Sequence, residues 1–256
     1  MKRILIFLML FLSGNGFAIA EETCPPPYTG EQMTFSVGWE FINAGQATLT
    51  YQPKGDGYRV EAFARTNALL DVFKKVRDTI ISEGVCVNGK LQSTLFEVDQ
   101  LERSYKAKKT SVFDWQHEKV AFTQNGKTDL YDVPAGYLNV IDAFTLTRMQ
   151  PLKPGAKLTI PAFDSRKNYD IIVTVAEKTQ TVRTPWGEKF ECLVLEPMLK
   201  TEGIFSSTGK IKIWMSNDAR HIPVKMTAAI KIGRIIATLT DYRPATPAKV
   251  QDTKTQ

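Results

Sequence analysis

Few residues in this chain could do chemistry, and their spacing is uninformative. There are three cysteines, Cys24, Cys86 and Cys192, and two histidines, His117 and His221. With no C-x-x-C pair and only two histidines, no metal-ligand spacing exists. Cys86 lies in Val85-Cys86-Val87 and Cys192 in Phe190-Glu191-Cys192-Leu193-Val194, both of which read as buried strand positions. In an oxidising compartment they are either two inert core thiols or one Cys86–Cys192 disulfide. Cys24 follows Glu21-Glu22-Thr23, which is not a lipid-attachment sequence. His117 sits at an expected hairpin tip, and His221 precedes Ile222-Pro223. Neither has a nucleophile at motif spacing and no G-x-S-x-G occurs, so both read as surface or structural histidines. Gly203-Ile204-Phe205-Ser206-Ser207-Thr208-Gly209-Lys210-Ile211 imitates a phosphate loop. It has five residues between the glycines instead of four, and Ile211 stands where a Mg²⁺-binding hydroxyl belongs. It reads as a strand connection. Asp71, Asp78 and Asp142 are scattered carboxylates, and nothing in the sequence selects an acid/base pair. The expectation is a protein without catalytic residues, metal or cofactor.

Two other groups of side chains are candidates for binding. Arg103, Lys106, Lys108 and Lys109 cluster around Tyr105. They read as a solvated sheet edge, where lysines discourage edge-to-edge pairing, or as a contact for an envelope protein, an anionic glycan or a lipid headgroup. Trp39, Phe41, Phe63, Leu70, Phe73, Trp214 and Met226 are large apolar residues on elements expected to face one another. They either fill a core or line an apolar cavity, the usual form of a small-molecule or lipid site.

The elements that would position them are mostly strands. From residue 30 the pattern has period two, with Phe35, Val37, Trp39 and Phe41 apolar and Ala47, Leu49 and Tyr51 continuing on the return. Asn43-Ala44-Gly45 and Lys54-Gly55-Asp56-Gly57 are expected turns, Asn88-Gly89 and Asn125-Gly126 strong hairpin signals, and residues 185–188 and 216–219 looser turns. Residues 67–76 and 137–149 break the period. Their apolar residues fall at helical spacing, which predicts two helices lying on the sheet by their apolar stripes. The expected fold is mainly β: one highly curved antiparallel sheet, a half-barrel of ten or eleven strands, with one or two helices on the concave face.

The first residues give an address. Lys2 and Arg3 precede an apolar run over residues 4–12, and Ala18-Ile19-Ala20 follows, the layout of a secretory signal peptide cleaved after Ala20. The run is far short of the roughly 20 residues a membrane span needs. The formal net charge is +6, of which two charges belong to the leader. This mild excess does not argue for nucleic acid. The expected organisation is a signal peptide over 1–20, an extended segment over 21–29, one β-rich domain over 30–243 and a disordered tail over 244–256, in a periplasmic protein.

Several segments together resemble a known family. These are Tyr28-Thr29-Gly30-Glu31-Gln32-Met33-Thr34-Phe35 running into Asn43-Ala44-Gly45, then Val72-Phe73-Lys74-Lys75-Val76-Arg77-Asp78, then Asn139-Val140-Ile141-Asp142-Ala143-Phe144 and Leu152-Lys153-Pro154-Gly155. The last stretch runs from Phe190-Glu191-Cys192 through Lys210-Ile211-Lys212-Ile213-Trp214-Met215-Ser216-Asn217-Asp218 to Ile222-Pro223-Val224-Lys225. In this order they resemble the domain of unknown function numbered 3108. The resemblance implies an exported bacterial protein with no assigned activity or site. The final stretch is also loosely similar to the periplasmic lipoprotein-carrier (LolA/LolB) superfamily, half-closed barrels whose helices plug an acyl-chain cavity. That likeness implies a carrier of an apolar or amphipathic envelope ligand. The alternative is an interaction module of an envelope assembly.

Overall fold

Period-two alternation and short connections produce sixteen strands and two helices in a computed structural model, which describes residues 28–201, 204–206, 211–230 and 233–245. The strands are β1 (Gln32–Trp39), β2 (Ile42–Lys54), β3 (Gly57–Thr66), β4 (Val76–Val87), β5 (Lys90–Glu102), β6 (Tyr105–Asp114), β7 (Lys119–Gln124) and β8 (Lys127–Asp132). After helix α2 come β9 (Lys157–Asp164), β10 (Lys167–Val175), β11 (Gln180–Arg183), β12 (Lys189–Thr201), β13 (Ile204–Ser206), β14 (Ile211–Ser216), β15 (Pro223–Ala229) and β16 (Arg234–Arg243). Helix α1 (Ala68–Lys74) joins β3 to β4, and α2 (Val140–Met149) joins β8 to β9. Residues 1–27, where the signal peptide and the extended segment are expected, residues 246–256 of the expected tail and most of the Gly203–Lys210 connection lie outside the described residues.

All strands belong to one sheet in the order β8-β7-β6-β5-β4-β3-β2-β1-β16-β15-β14-β12-β10-β9, with β11 and β13 added alongside β12. Every ladder is antiparallel. The pairing of β1 with β16, Phe35 opposite Leu239, joins the two ends of the fold at the middle of the sheet. The buried face follows the pleat: Met33 and Phe35 on β1, Leu49 and Tyr51 on β2, Val60 on β3 and Leu239 on β16 belong to one cluster. Each such side chain, fully buried, contributes about 1.5–3 kcal/mol.

The terminal strands β8 and β9 share no ladder, yet they meet. Phe163 of β9 lies 5.9 Å from Tyr131 of β8 and 6.2 Å from Phe113 of β6, ring centre to ring centre. The segment leaving β8 touches β9 directly. The Leu138 N–H donates to the Pro161 carbonyl at 3.1 Å, and the Phe163 N–H donates to the Leu138 carbonyl at 2.9 Å.

Sixteen strands exceed the expected ten or eleven because several turns carry no glycine signal. The β1–β2, β5–β6 and β9–β10 connections put Glu40, Arg103 and Ser165 in the left-handed region, at φ 51°, 54° and 59°. The Asn88-Gly89 and Asn125-Gly126 hairpins form as expected, with both residues of each pair at positive φ. Asn43-Ala44-Gly45 is not a turn but lies within β2. Gly45 is required there by a close approach: a Cβ would fall 1.9 Å from the Arg65 carbonyl oxygen of β3. Helix α1 starts where expected, capped by Asn67, whereas α2 starts three residues later than expected, at Val140, capped by Asn139. However, α1 does not bury its apolar stripe, since Leu69 and Val72 are exposed.

The cysteines also depart from expectation. Cys86 is disulfide-bonded, whereas Cys192 is a free and fully buried thiol, so the Cys86–Cys192 bridge does not form. Cys192 is on β12 and Cys86 on β4, with six strands between them in the sheet order. Burial pushes the Cys192 thiol up to about 12. Native protein treated with iodoacetamide is therefore expected to stay unlabelled at Cys192. After unfolding without reductant, mass mapping should find the label on Cys192 and not on Cys86.

Candidate functional site

Helix α2 is held at both ends by buried polar groups. At its start the Asn139 side-chain oxygen accepts from the Ile141 and Asp142 N–H groups, each at 3.0 Å. The Asn139 amide nitrogen donates to Ser82 Oγ at 2.9 Å, to Ser93 Oγ at 3.0 Å and to Asp142 Oδ2 at 2.8 Å. Ser82 Oγ and Ser93 Oγ donate to the two Asp142 oxygens at 2.7 and 2.5 Å. Asp142 is thus tied to β4 and β5. Burial raises its pKa to about 6, against the lowering effect of those hydrogen bonds. The Tyr58 hydroxyl beside it is buried without a hydrogen-bond partner, and burial, then the Asp142 charge, pushes its pKa up.

At the other end Arg148 is wholly buried and pairs bidentately with Glu31, at 2.7 and 2.9 Å. The guanidinium also donates to the carbonyls of His221 and Arg220. It lies 3.7 Å from the centre of the Tyr28 ring. The Tyr242 hydroxyl donates to Glu31 at 3.0 Å, and His221 Nδ1 lies 2.6 Å from the Arg148 carbonyl. The Arg148 and Glu31 side chains are thus bound to one another and to neighbouring groups, and both polar clusters fasten α2.

Between the fastenings the helix is apolar and only partly covered. Ile141, Phe144, Leu146 and Met149 are half-buried and pack against the main core cluster. Half-buried Ala47, Ala62, Ile171, Met226 and Ala237, from five strands, pack against the same cluster. The apolar stripe thus packs on the core as expected but keeps some solvent contact, while the polar residues Asp142, Thr145, Thr147 and Arg148 are the fully buried ones.

The apolar residues singled out from the sequence do not converge. Met226 and Trp214 pack against the core cluster, with the Trp214 indole N–H donating to Gln180 at 2.8 Å. Trp39, Phe63 and Leu70 are half-buried. Phe63 follows Ala62, which packs on the core, and so points to the opposite face. Phe41 is fully exposed in the β1–β2 turn. The side chain of Phe73 lies outside the described residues. The basic group also divides. Lys106 and Lys108 are exposed on one face of β6 with Arg103 in the preceding turn, whereas half-buried Lys109 donates to Gln100 on the other face at 3.2 Å. His117 is exposed and bound to Asp114 at 2.7 Å, which holds that carboxyl below its usual range. No group of three metal-ligating side chains occurs among the described residues.

A second feature escaped sequence reasoning. A cleft of about 660 Å³ opens beside α1, lined by Ser36, Asn43, Gln46, Arg65, Thr66 and Arg77 among others. Arg77 is held by Asp71, at 2.6 and 3.0 Å, and the Thr66 hydroxyl donates to the same carboxylate at 2.5 Å. These bonds, from Arg77 and then Thr66, keep the Asp71 carboxyl low. Arg65 is exposed, and among the described residues its guanidinium makes a long 3.4 Å contact to Gln46. Strand register brings these residues together from β1 to β4, so no local motif could have announced them.

Residues 34–240 match the model of a protein family of unknown function, DUF3108, and the chain belongs to that family. No curated protein matches the sequence. Among solved structures the fold is similar to a β-barrel-like protein of the domain of unknown function DUF1849 from Brucella abortus. That match has a TM-score of 0.60 and 9% identity over 85% of this chain and 98% of that one. A putative exported protein with a YmcC-like fold from Bacteroides fragilis aligns over 85% of this chain and 97% of its own at 16% identity, with a TM-score of 0.31. No helix of the described residues is long and apolar enough to cross a membrane.

Proposed function

We propose that this is an exported periplasmic binding protein. Its sheet curls into a half-barrel around α2 and holds an apolar or amphipathic ligand, a lipid or acylated molecule. The observation that carries the reading is the incomplete cover of α2: its polar residues are spent on buried fastenings, and Ile141, Phe144 and Met149 are only half-buried against a core cluster that half-buried Ala62, Met226 and Ala237 also touch. Incompletely covered apolar surface on facing elements is the usual form of a lipid site. Curling is supported by the edge contacts of Phe163 with Tyr131 and Phe113. It is supported again by the packing of one ten-residue helix, about 15 Å long, on β4, β5 and β9. A flat sheet would hold β5 and β9 roughly 40 Å or more apart. We read the protein as a binder rather than a catalyst, because the buried carboxylates Glu31 and Asp142 are occupied by structural partners. Cleavage of a leader after Ala20 belongs to the same reading.

Native mass spectrometry of protein isolated from envelope extracts tests it. The expected result is a bound mass in the lipid range that organic extraction removes. Protein that is ligand-free on isolation, and that also fails to take up palmitate or a lysophospholipid afterwards, would overturn the reading.

A further inference from the structure

Strand register gathers several connections at one end of the sheet, opposite the end where Glu31 fastens α2. Trp39 pairs with both Ile42 and Ile235, Gly45 with Thr66, Arg65 with Arg77, and Glu102 with Tyr105. The β1–β2 turn, the β3–α1–β4 connection, the β5–β6 turn and the β15–β16 turn therefore share this end. They carry an unusual share of exposed apolar side chains. Phe41 is 100% exposed, Val72 80%, Leu69 65%, Ile230 49% and Ile42 44%. Single exposed apolar residues are ordinary, but five in adjacent connections make a patch of the kind used for docking.

The charge on the same connections has one prevailing sign. Arg65, Lys75, Arg103, Lys106 and Arg234 are exposed, against a single exposed acid, Glu40. The polar cleft opens here as well, with exposed Arg65 and Asp71-held Arg77 in its wall. Bulky apolar residues ringed by cations match the boundary between acyl chains and anionic headgroups. A guanidinium at the mouth of a polar cleft matches a phosphate.

We propose that this end of the protein docks on an anionic phospholipid bilayer, with Phe41, Leu69 and Val72 entering the headgroup–acyl boundary and Arg65 meeting a lipid phosphate at the cleft. The docking surface lies outside the partly covered face of α2 and does not depend on the interior reading. The two are complementary, since a carrier of an insoluble ligand must meet the membrane that supplies or receives it.

Vesicle co-sedimentation of residues 21–256 tests the proposal, using phosphatidylglycerol/phosphatidylcholine vesicles beside pure phosphatidylcholine vesicles. The protein should sediment with the anionic vesicles and be released by high salt. The combined variant Phe41→Ser, Leu69→Ser, Val72→Ser should bind at least about tenfold more weakly. Arg65→Gln should lose about fivefold, on anionic vesicles only. All three substituted apolar side chains are exposed, so an unchanged thermal melt is expected and confirms folding. Any of three results would overturn the proposal: wild-type protein that ignores anionic vesicles, equal binding to neutral ones, or a triple variant that binds like wild type. Abolition of binding by millimolar inorganic phosphate would mean that the cleft takes a free anion rather than a bilayer, and would overturn it too. Interior ligand is read separately by native mass spectrometry, so a loaded protein that ignores vesicles sinks the docking proposal alone.

Discussion

Replacing Arg148 by alanine is expected to destabilise the protein by about 3–5 kcal/mol. The guanidinium is completely buried and its partner Glu31 is 1% exposed. Removing the cation leaves a carboxylate inside the fold with one remaining side-chain donor, the Tyr242 hydroxyl at 3.0 Å. It also frees the carbonyls of Arg220 and His221, which receive the other guanidinium hydrogens. Typical domains are stable by only about 5–15 kcal/mol, so the variant should melt well below wild type or fail to accumulate. The cost is that of an orphaned charge rather than the worth of the pair, and this distinction can be tested. Glu31→Gln combined with Arg148→Met removes both charges and should be markedly more stable than Arg148→Ala alone. Urea denaturation of wild type, Arg148→Ala and the double variant measures this. A loss under about 1 kcal/mol for Arg148→Ala would show that water reaches the site and that α2 is not fastened there.

This pair shows what the sequence could and could not disclose. Alternation at Phe35, Val37, Leu49 and Tyr51 announced the strands, and Asn-Gly pairs announced two hairpins, because both signals are local. Apolar residues at helical spacing announced both helices for the same reason, although α2 begins three residues later than that spacing suggested. The Glu31–Arg148 pair spans 117 positions, and the Asp142 cluster draws on β4, β5 and α2 at once. Such contacts exist only after the register is set. The apolar stripe of α2 packs on the core as its spacing announced, but it is only partly covered. Hydrophobic periodicity predicts burial on the assumption that polar residues face water. Here Asp142, Thr145, Thr147 and Arg148 find buried partners, so the stripe is left at the incompletely covered surface. The α1 stripe fails, with Leu69 and Val72 in solvent. Places where a local rule fails without an evident folding advantage are where function is expected. The proposed ligand surface and the proposed docking surface are those two places.

Asp142 supplies the second large effect, read through pH. Its carboxyl has a pKa of about 6 in the fold against 3.8 when free, raised mainly by burial. Between those values the folded protein binds a proton that the unfolded chain has released, so stability falls as pH rises. The contribution is fully present below about pH 4 and is lost as pH passes through about 6, amounting to about 3 kcal/mol. Other carboxylates act in the opposite sense. Asp71, Glu83, Asp114 and Asp218 are held low in the fold and favour it as pH rises. The Asp142 term must therefore be isolated by difference. Asp142→Asn keeps the size of the side chain and an oxygen for Ser82 or Ser93, and it cannot ionise. The stability of wild type minus that of Asp142→Asn, measured by urea denaturation, is expected to fall by about 3 kcal/mol from pH 4 to pH 7. A difference that stays flat over that range would mean that Asp142 is ionised throughout, with Ser82, Ser93 and Asn139 stabilising the charge fully. A difference that rises would mean that those three hydrogen bonds outweigh burial, and that this end of α2 is held by a carboxylate rather than by a carboxylic acid.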